Sequence, residues 1–249
     1  MKTFCFGPGL AAIASIAALA CSSENGANDS GGAGASSTEA TGGSTAAGGN
    51  QDSNGSGTGG DATGGASTGD PRTMGYVGCS MSVNVATGYQ TLGGERLWPP
   101  VQAYNGMVVQ NWANTNDNVW SAFDDQMNTY GTPEAVWVML CIFNNQITYQ
   151  ETTQIIANVR ERAPNAEIYI TGQPLYEPGL TCSLAGVGGP ELTDDMAQQA
   201  GSDASQNVSY AGIFGPLTAA HTAGDTTGCH ANAEGQAFLG QQAIDKWGD

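Results

Sequence analysis

Positive charge is scarce in this sequence. It has 6 lysine and arginine residues against 23 aspartate and glutamate residues, which gives a formal net charge of −17. From residue 73 onward the basic residues are Arg96, Arg160, Arg162 and Lys246. Because nucleic-acid binding needs basic patches, we expect no nucleic-acid partner, and a polyanionic substrate is disfavoured for the same reason.

Histidine, paired cysteine motifs and long apolar runs are also few. The two histidines are His221 and His230, and no C-x-x-C pair occurs. This composition argues against a histidine-rich metal centre and against a structural zinc site, and it suggests no cofactor. The apolar run from Leu10 to Ala20 is shorter than the roughly 20 residues that a membrane-spanning helix needs.

That short run is typical of a targeting segment. Lys2 precedes it, and Ala18-Leu19-Ala20 ends it as a signal-cleavage site. We expect residues 1–20 to be a signal peptide of the lipoprotein type, because Cys21 follows directly. The junction resembles a bacterial lipobox, although Ala18 stands where that family most often has leucine. We expect Cys21 to be a lipid anchor, and plain secretion is the alternative.

A second composition change divides the rest of the chain. Residues 21–72 are mostly glycine, serine, alanine, threonine, asparagine and aspartate, with hardly an apolar side chain. Such a segment cannot bury enough surface to offset its ordering entropy, so we predict a disordered tether. Residues 73–249 are enough for one folded domain. We expect an exported protein, either a cell-envelope lipoprotein or a secreted one.

Within the predicted domain, apolar runs alternate with helical patterns. The runs predict five strands, at 74–79, 106–111, 135–142, 167–171 and 208–214. The helical patterns cover 118–130, 149–162, 191–206 and 232–247. The run at 135–142 is apolar throughout, as in a parallel sheet that is buried on both faces. The alternation predicts an α/β fold with three layers, α/β/α, around a parallel sheet.

Ser80 and His230 are the candidates for nucleophilic chemistry. Ser80 follows the first predicted strand, and active sites in parallel sheets lie at the carboxyl ends of the strands. His230 precedes the last predicted helix and can activate a serine hydroxyl by taking its proton. Ser82 and His221 are the rival serine and the rival base. Alone, each of these residues also has a structural explanation, as a turn or capping residue.

Asn144 and Asn145 end the central predicted strand. A carboxamide can donate hydrogen bonds to a developing oxyanion, although asparagine is also common in turns.

Taken together, these motifs resemble the SGNH/GDSL hydrolase family. The family's first block, Gly-Asp-Ser-Leu-Ser, is matched by Gly-Cys-Ser-Met-Ser at 78–82. Its third block, Gly-x-Asn-Asp, is matched by Ile-Phe-Asn-Asn at 142–145, and its fifth block, Asp-x-x-His, by Thr-Gly-Cys-His at 227–230. The motifs have the family's order and spacing, and they cover nearly all of residues 73–249.

The resemblance implies a flavodoxin-like sandwich with Ser80 as nucleophile and His230 as base. It also implies an oxyanion hole that is formed by the Ser80 amide, the Asn144 side chain and an amide such as that of Ala113. Two departures stand out. No glycine occurs between Gly106 and Gly131 to form the second block. Thr227 occupies the position of the family's aspartate, so Asp225 is the nearest carboxylate.

Four cysteines fall in the predicted domain, at 79, 141, 182 and 229, and they allow three pairings. Export makes disulfides plausible. We expect Cys182 and Cys229 to form a disulfide beside the site, since Cys229 adjoins His230. Cys79 and Cys141 end two strands that the family places side by side. We therefore expect them to form a second disulfide or to remain as buried thiols.

The sequence thus favours a serine esterase that hydrolyses carboxylic esters by a Ser-His(-Asp) mechanism. The expected partner is an ester of a small molecule or a glycan, such as acetylated glycan or a short-chain lipid ester. We expect a monomer that meets the membrane only through its lipid anchor. The alternative is a catalytically degenerate surface module with the same fold that binds glycan or protein, because the second-block glycine is missing and the aspartate is displaced.

Overall fold

A parallel β-sheet organises the folded part of the chain. The computed structural model describes residues 71–248, so the predicted signal peptide, the Cys21 anchor and all but the end of the tether lie outside the described residues. The sheet has four strands in the order of the sequence, and each strand is parallel to its neighbour. They are β1 Met74–Val77, β2 Ala135–Leu140, β3 Glu167–Gly172 and β4 Ser209–Tyr210.

Among the described residues, six α-helices connect and cover these strands. They are α1 Ser80–Thr91, α2 Val109–Ala113, α3 Val119–Tyr130, α4 Tyr149–Arg162, α5 Gly189–Ser202 and α6 Ala233–Trp247. The prediction for α4 is confirmed to the residue, since the Thr148 side chain caps its first turn and Glu151 completes the capping box. No helix among the described residues is both long and apolar enough to cross a bilayer.

The helices lie on both faces of the sheet. Side chains alternate between the faces of a strand, so Trp137 of β2 shares a face with Thr171 of β3, to which its ring nitrogen donates a hydrogen bond. On that face the Trp137 ring packs against Trp247 of α6 at 4.9 Å. Gly172 points to the opposite face, where it closely approaches Asp194 of α5. The predicted α/β fold with three layers is therefore confirmed.

The predicted second strand is wrong. Residues 106–108 form a loop that begins with Gly106 at a φ of +79°, and Val109 starts α2. The Asn111 side chain accepts a hydrogen bond from the Val108 amide, which caps the helix start. On the edge of β1 that faces away from β2, the described residues form a single parallel bridge, between Met74 and Leu97.

The last predicted strand shrinks to two residues. β4 is Ser209–Tyr210, because Gly212 adopts a φ of +77° and turns the chain out of the extended conformation.

Helix α1 was missed because its sequence alternates like a strand. Met81, Val83 and Val85 are separated by polar residues. The helix buries most of its circumference, including Ser82 and Ala86, so the apolar stripe that identifies a surface helix is absent.

Two glycines set the distance between α1 and α6. A Cβ atom on Gly88 of α1 would overlap the Gln236 carbonyl of α6, and a Cβ atom on Gly240 would overlap the Gly88 backbone. The backbones of the two helices therefore touch, which only glycine permits at this crossing. Because Ser80 begins α1 and His230 lies just before α6, this crossing controls their separation.

We expect Gly240→Ala to lower the free energy of unfolding by about 1–3 kcal/mol, the usual cost of overpacking, because the methyl group forces the two helices apart. Urea unfolding followed by circular dichroism measures the change. Gln241→Ala is the matched control on the exposed side of α6, where we expect a change within about 0.5 kcal/mol. Equal stability of the two variants would contradict the close crossing.

Candidate active site

Ser80 stands at the junction between β1 and α1. The carbonyl of Gly78 accepts a hydrogen bond from the ring nitrogen of Trp112 at 2.7 Å, which fixes the end of β1. A side chain at Gly78 would collide with Ser82, whose hydroxyl donates to the Cys79 carbonyl at 2.7 Å. Ser80 is the first residue of α1, so its amide has no acceptor within the helix and none among the described residues.

His230 is held against the same helix by neighbouring residues. The Ala231 amide donates to the Asn84 side chain, one turn beyond Ser80, at 3.0 Å. Asn232 caps α6 by accepting from the Gly235 amide at 3.0 Å. These contacts fix the main chain on the C-terminal side of His230 relative to both helices.

The structure brings Ser80 and His230 into hydrogen-bond contact. The Ser80 Oγ lies 2.9 Å from the His230 Nε2, although the residues are 150 positions apart in sequence. On the other side of the ring, Nδ1 lies 3.2 Å from the Asp225 Oδ2. Since an ionised carboxylate only accepts hydrogen bonds, the proton of the neutral ring belongs on Nδ1, and Nε2 is free to accept from the serine hydroxyl.

Hydrogen-bond donors around Asp225 keep its carboxyl group ionised. Its Oδ2 accepts from the amides of His230 and Cys229, at 2.7 and 2.8 Å, and from the Thr227 hydroxyl at 2.6 Å. Burial raises the pKa of the Asp225 carboxyl, but these bonds and one from the Thr227 amide lower it by more. The net pKa lies well below the ordinary value. A permanent carboxylate can orient the ring and stabilise the imidazolium that forms when the ring takes a proton.

The offset of the aspartate from position 227 has a structural explanation. Residues 225–230 form a tight loop in which Gly228 adopts a φ of +66°. Thr227 occupies the position at which the aspartate was expected. Its hydroxyl donates a hydrogen bond to the Asp225 carboxylate and so supports it. Sequence reasoning gave no role to Thr227, and the Thr-Gly pair between Asp225 and His230 is the only local signal for this turn.

Two disulfides frame the pair. Cys79 is bonded to Cys141, which joins the ends of β1 and β2, and Cys182 is bonded to Cys229, next to His230. The Tyr176 hydroxyl donates to the Cys229 carbonyl at 2.7 Å and adds a further support. Disulfides persist in oxidising compartments, so the two bonds indicate an extracytoplasmic protein.

Ser80 and His230 open into a cavity of about 610 Å³. Apolar residues from the loops at the carboxyl edge of the sheet form much of its wall, including Met107, Val108, Ile142, Phe143 and Leu184. Both disulfides also reach it. Apart from the titratable His230, no side chain that bears charge is among the described residues of this wall. The cavity therefore suits a neutral, partly apolar ligand.

Two predicted oxyanion donors lie away from the cavity wall. Asn144 is exposed, adopts a φ of +50° and donates its amide to the Leu184 carbonyl at 2.9 Å. Ala113 ends α2 on the side of α4, where its carbonyl accepts from the Asn158 side chain at 3.2 Å. Neither residue lines the cavity, because the loop after β2 turns outward and the predicted second strand is a loop followed by helix α2.

The rival candidates have structural roles instead. His221 stacks on Phe238 at 4.7 Å, and its Nδ1 accepts from the Thr218 amide at 3.3 Å. Ser82 is fully buried and bonded to its own helix start. Trp98 and Trp112 are buried in the core. Among the described residues there is no cluster of histidine, cysteine, aspartate and glutamate that could hold a metal ion.

Comparisons with known proteins give little beyond this geometry. No family model and no curated protein matches the chain. A structure from Slackia heliotrinireducens, assigned as an SGNH hydrolase, is 14% identical with a TM-score of 0.48, covering 70% of this chain and 97% of that one. The periplasmic domain of a lipopolysaccharide acetyltransferase from Salmonella ser. Paratyphi A is 13% identical with a TM-score of 0.39, covering 72% and 83%. At these values neither likeness bears on activity.

We expect Asp225→Asn to alter the pH dependence of stability. Because the native pKa of Asp225 is depressed, its carboxylate stabilises the fold fully above the ordinary value of about 3.9 and loses this effect as pH falls through the native pKa. The difference in free energy of unfolding between wild type and Asp225→Asn should therefore be largest near neutral pH and shrink towards pH 2. Urea titrations at several pH values measure it, and a constant difference would contradict the assignment.

Removing the disulfide between Cys182 and Cys229 should weaken the loop that holds His230. For a sequence separation of 47 residues, the chain-entropy model gives a loss of about 4 kcal/mol. We expect the double variant Cys182→Ala/Cys229→Ala to show this loss in urea unfolding under non-reducing conditions. The single variant Asn144→Ala, on an exposed turn, is the control that should change stability far less.

Proposed function

We propose that this protein is an exported serine ester hydrolase of the SGNH type, with Ser80 as nucleophile, His230 as general base and Asp225 as the orienting acid. The observation that carries the proposal is the continuous line of contacts from the Ser80 Oγ through the His230 ring to the Asp225 carboxylate, at 2.9 and 3.2 Å. Nucleophile, base and orienting group stand within the reach that this chemistry needs.

The reaction follows from these contacts. His230 takes the proton of the Ser80 hydroxyl through Nε2 as the Oγ attacks the ester carbonyl, and Asp225 stabilises the resulting imidazolium. The oxyanion forms near the start of α1, where the unpaired Ser80 amide and the positive end of the helix favour negative charge. The imidazolium then protonates the leaving alcohol. Water, activated by the same ring, releases the acid and restores Ser80.

The cavity supports a neutral ester as substrate. Its apolar wall suits an acyl group, and the absence of charged side chains among its described residues disfavours anionic substrates. The proposal covers acetylated glycans and short-chain lipid esters. The Nδ1–Oδ2 contact of Asp225 favours the enzyme over a degenerate binding module, because the displaced aspartate was one of the two reasons for that alternative.

The proposal includes the route of the protein to the cell envelope. A signal peptide at residues 1–20, lipidation of Cys21 and a tether at 21–72 would hold the monomeric domain away from a membrane surface. The polar composition of the tether and the Ala-Leu-Ala-Cys junction support this arrangement.

A fluorophosphonate probe tests the proposed nucleophile. We expect it to label the wild-type protein and Ser82→Ala but not Ser80→Ala, because the Ser80 hydroxyl contacts the His230 ring whereas the Ser82 hydroxyl donates to a backbone carbonyl. Labelling of Ser80→Ala as strong as that of wild type would refute the assignment.

The base is tested with the two histidines of the chain. Hydrolysis of short-chain nitrophenyl esters should fall by at least about 10³-fold in His230→Ala, whereas His221→Ala should keep most of the activity. We expect Asp225→Asn to lose up to about 10⁴-fold in turnover, by analogy with the loss in an unrelated triad enzyme. Equal activity of the two histidine variants would exclude His230 as the base.

A further inference from the structure

The proposed site needs an oxyanion donor besides the Ser80 amide. The Ser80 amide supplies one, but Asn144 and Ala113, from which the sequence predicted the others, lie off the cavity wall. Preorganised oxyanion holes usually combine several donors that point into the site. A replacement must be fixed in position, must line the cavity and must have an N–H group without another acceptor.

Gln173 meets the first requirement. It directly follows β3 at the carboxyl edge of the sheet and is 3% exposed. Its amide donates to the Thr193 hydroxyl at 3.0 Å, and that hydroxyl donates in turn to the Pro190 carbonyl at 2.7 Å. The preceding Gly172 packs tightly against the backbone of Asp194. The main chain of Gln173 is thereby anchored to α5.

The side-chain amide of Gln173 is oriented by a single contact. Its Oε1 accepts from the Ile142 amide at 3.2 Å. A backbone amide can only donate, so the oxygen must face Ile142 and the NH₂ group must point elsewhere. Among the described residues the Nε2 has no hydrogen-bond partner. It is also absent from the fully buried side-chain atoms without a partner, so it is accessible. Because Gln173 lines the cavity, the NH₂ group faces its open volume.

A chain of contacts and bonds links the Gln173 carboxamide to the residue before Ser80. Ile142, which holds the Gln173 oxygen, directly follows Cys141, and Cys141 is bonded to Cys79, the residue before Ser80. Another carboxamide on the cavity wall, Asn84, also has its oxygen engaged, but by the amide of Ala231 next to His230. The Gln173 carboxamide is therefore linked to the segment before Ser80, and the Asn84 carboxamide to the segment after His230.

We propose that the Nε2 of Gln173 donates a hydrogen bond to the oxyanion and acts together with the Ser80 amide as the oxyanion hole. This inference rests on the proposed ester hydrolysis. In the tetrahedral intermediate the former carbonyl oxygen carries the negative charge and accepts both bonds. Collapse to the acyl-enzyme returns the charge to the departing oxygen, which His230 protonates. Gln173 thus does the work that the sequence assigned to Asn144.

The sharpest test is Gln173→Glu. This change keeps an oxygen for the Ile142 amide and replaces the NH₂ donor with a carboxylate that repels the oxyanion. We expect kcat for a nitrophenyl ester to fall by about 10²–10³-fold or more, the usual loss for one oxyanion donor, with KM changed less than about threefold. The rate of fluorophosphonate labelling of Ser80 should fall in parallel, because the phosphonyl oxygen occupies the same hole.

Gln199→Glu is the matched control, since it makes the same chemical change on an exposed residue of α5 that does not line the cavity. We expect it to keep kcat within about threefold of wild type. Thermal unfolding of both variants checks the fold. If Gln173→Glu unfolds, Gln173→Met, a neutral variant of similar size without a donor, takes its place and should show the same loss in kcat.

The outcomes separate this inference from the proposed function. Unlabelled Ser80 in the wild-type protein would end both proposals. Labelled wild type together with a folded Gln173 variant that keeps kcat within threefold would overturn the role of Gln173 and leave the esterase proposal standing. A loss of kcat in Gln199→Glu as large as that in Gln173→Glu would also overturn it.

Discussion

The contact between the backbones of α1 and α6 is the constraint on which the candidate site depends. Gly88 and Gly240 let the helices approach until main-chain atoms touch, and larger residues would separate them. Ser80 begins the first of these helices, and His230 lies three residues before the second. A hydrogen bond tolerates only a few tenths of an ångström, so the 2.9 Å contact of these side chains requires a rigid crossing.

Covalent and polar links then lock the loops that the crossing brings together. Closing a 150-residue separation costs conformational entropy, which the core offsets as the sheet and its helices form. Each member of the Ser–His pair has a disulfide at its side, one through Cys79 and one through Cys229. The Asn84 side chain adds a direct link between α1 and the His230 loop. Ser80 and His230 are thus each held by a disulfide next to them, and Asn84 links the two segments that carry them.

The electrostatics of the site are local. The protein is strongly acidic as a whole, yet the wall of the cavity has no carboxylate among its described residues, and Asp225 stands behind the ring of His230. The hydrogen bonds that lower the pKa of Asp225 come from its own loop, from Thr227, Cys229 and His230. A compact loop of six residues, 225–230, therefore supplies the imidazole, the carboxylate behind it and the donors that keep this carboxylate ionised.

Much of the fold was open to prediction from local pattern. The continuous apolar run of β2 and the capped, periodic helix α4 follow rules that act within a few residues, and both predictions are confirmed. Helix α1 and the loop at Gly106 were not predicted correctly. The alternating sequence of α1 mimics a strand, and its burial against α6 overrides the local preference. The outcome there depends on residues that are far away in sequence.

The sequence by itself determined the composition of the site: a serine after a strand, a histidine before the last helix, a nearby carboxylate and four cysteines. Only the tertiary structure decided which of these groups meet. It put Asp225 rather than residue 227 behind the histidine, because the turn at Gly228 folds the loop back on itself. It left Asn144 in solvent and turned Gln173 to the cavity, because side-chain direction depends on packing between strands and helices that no local sequence pattern encodes.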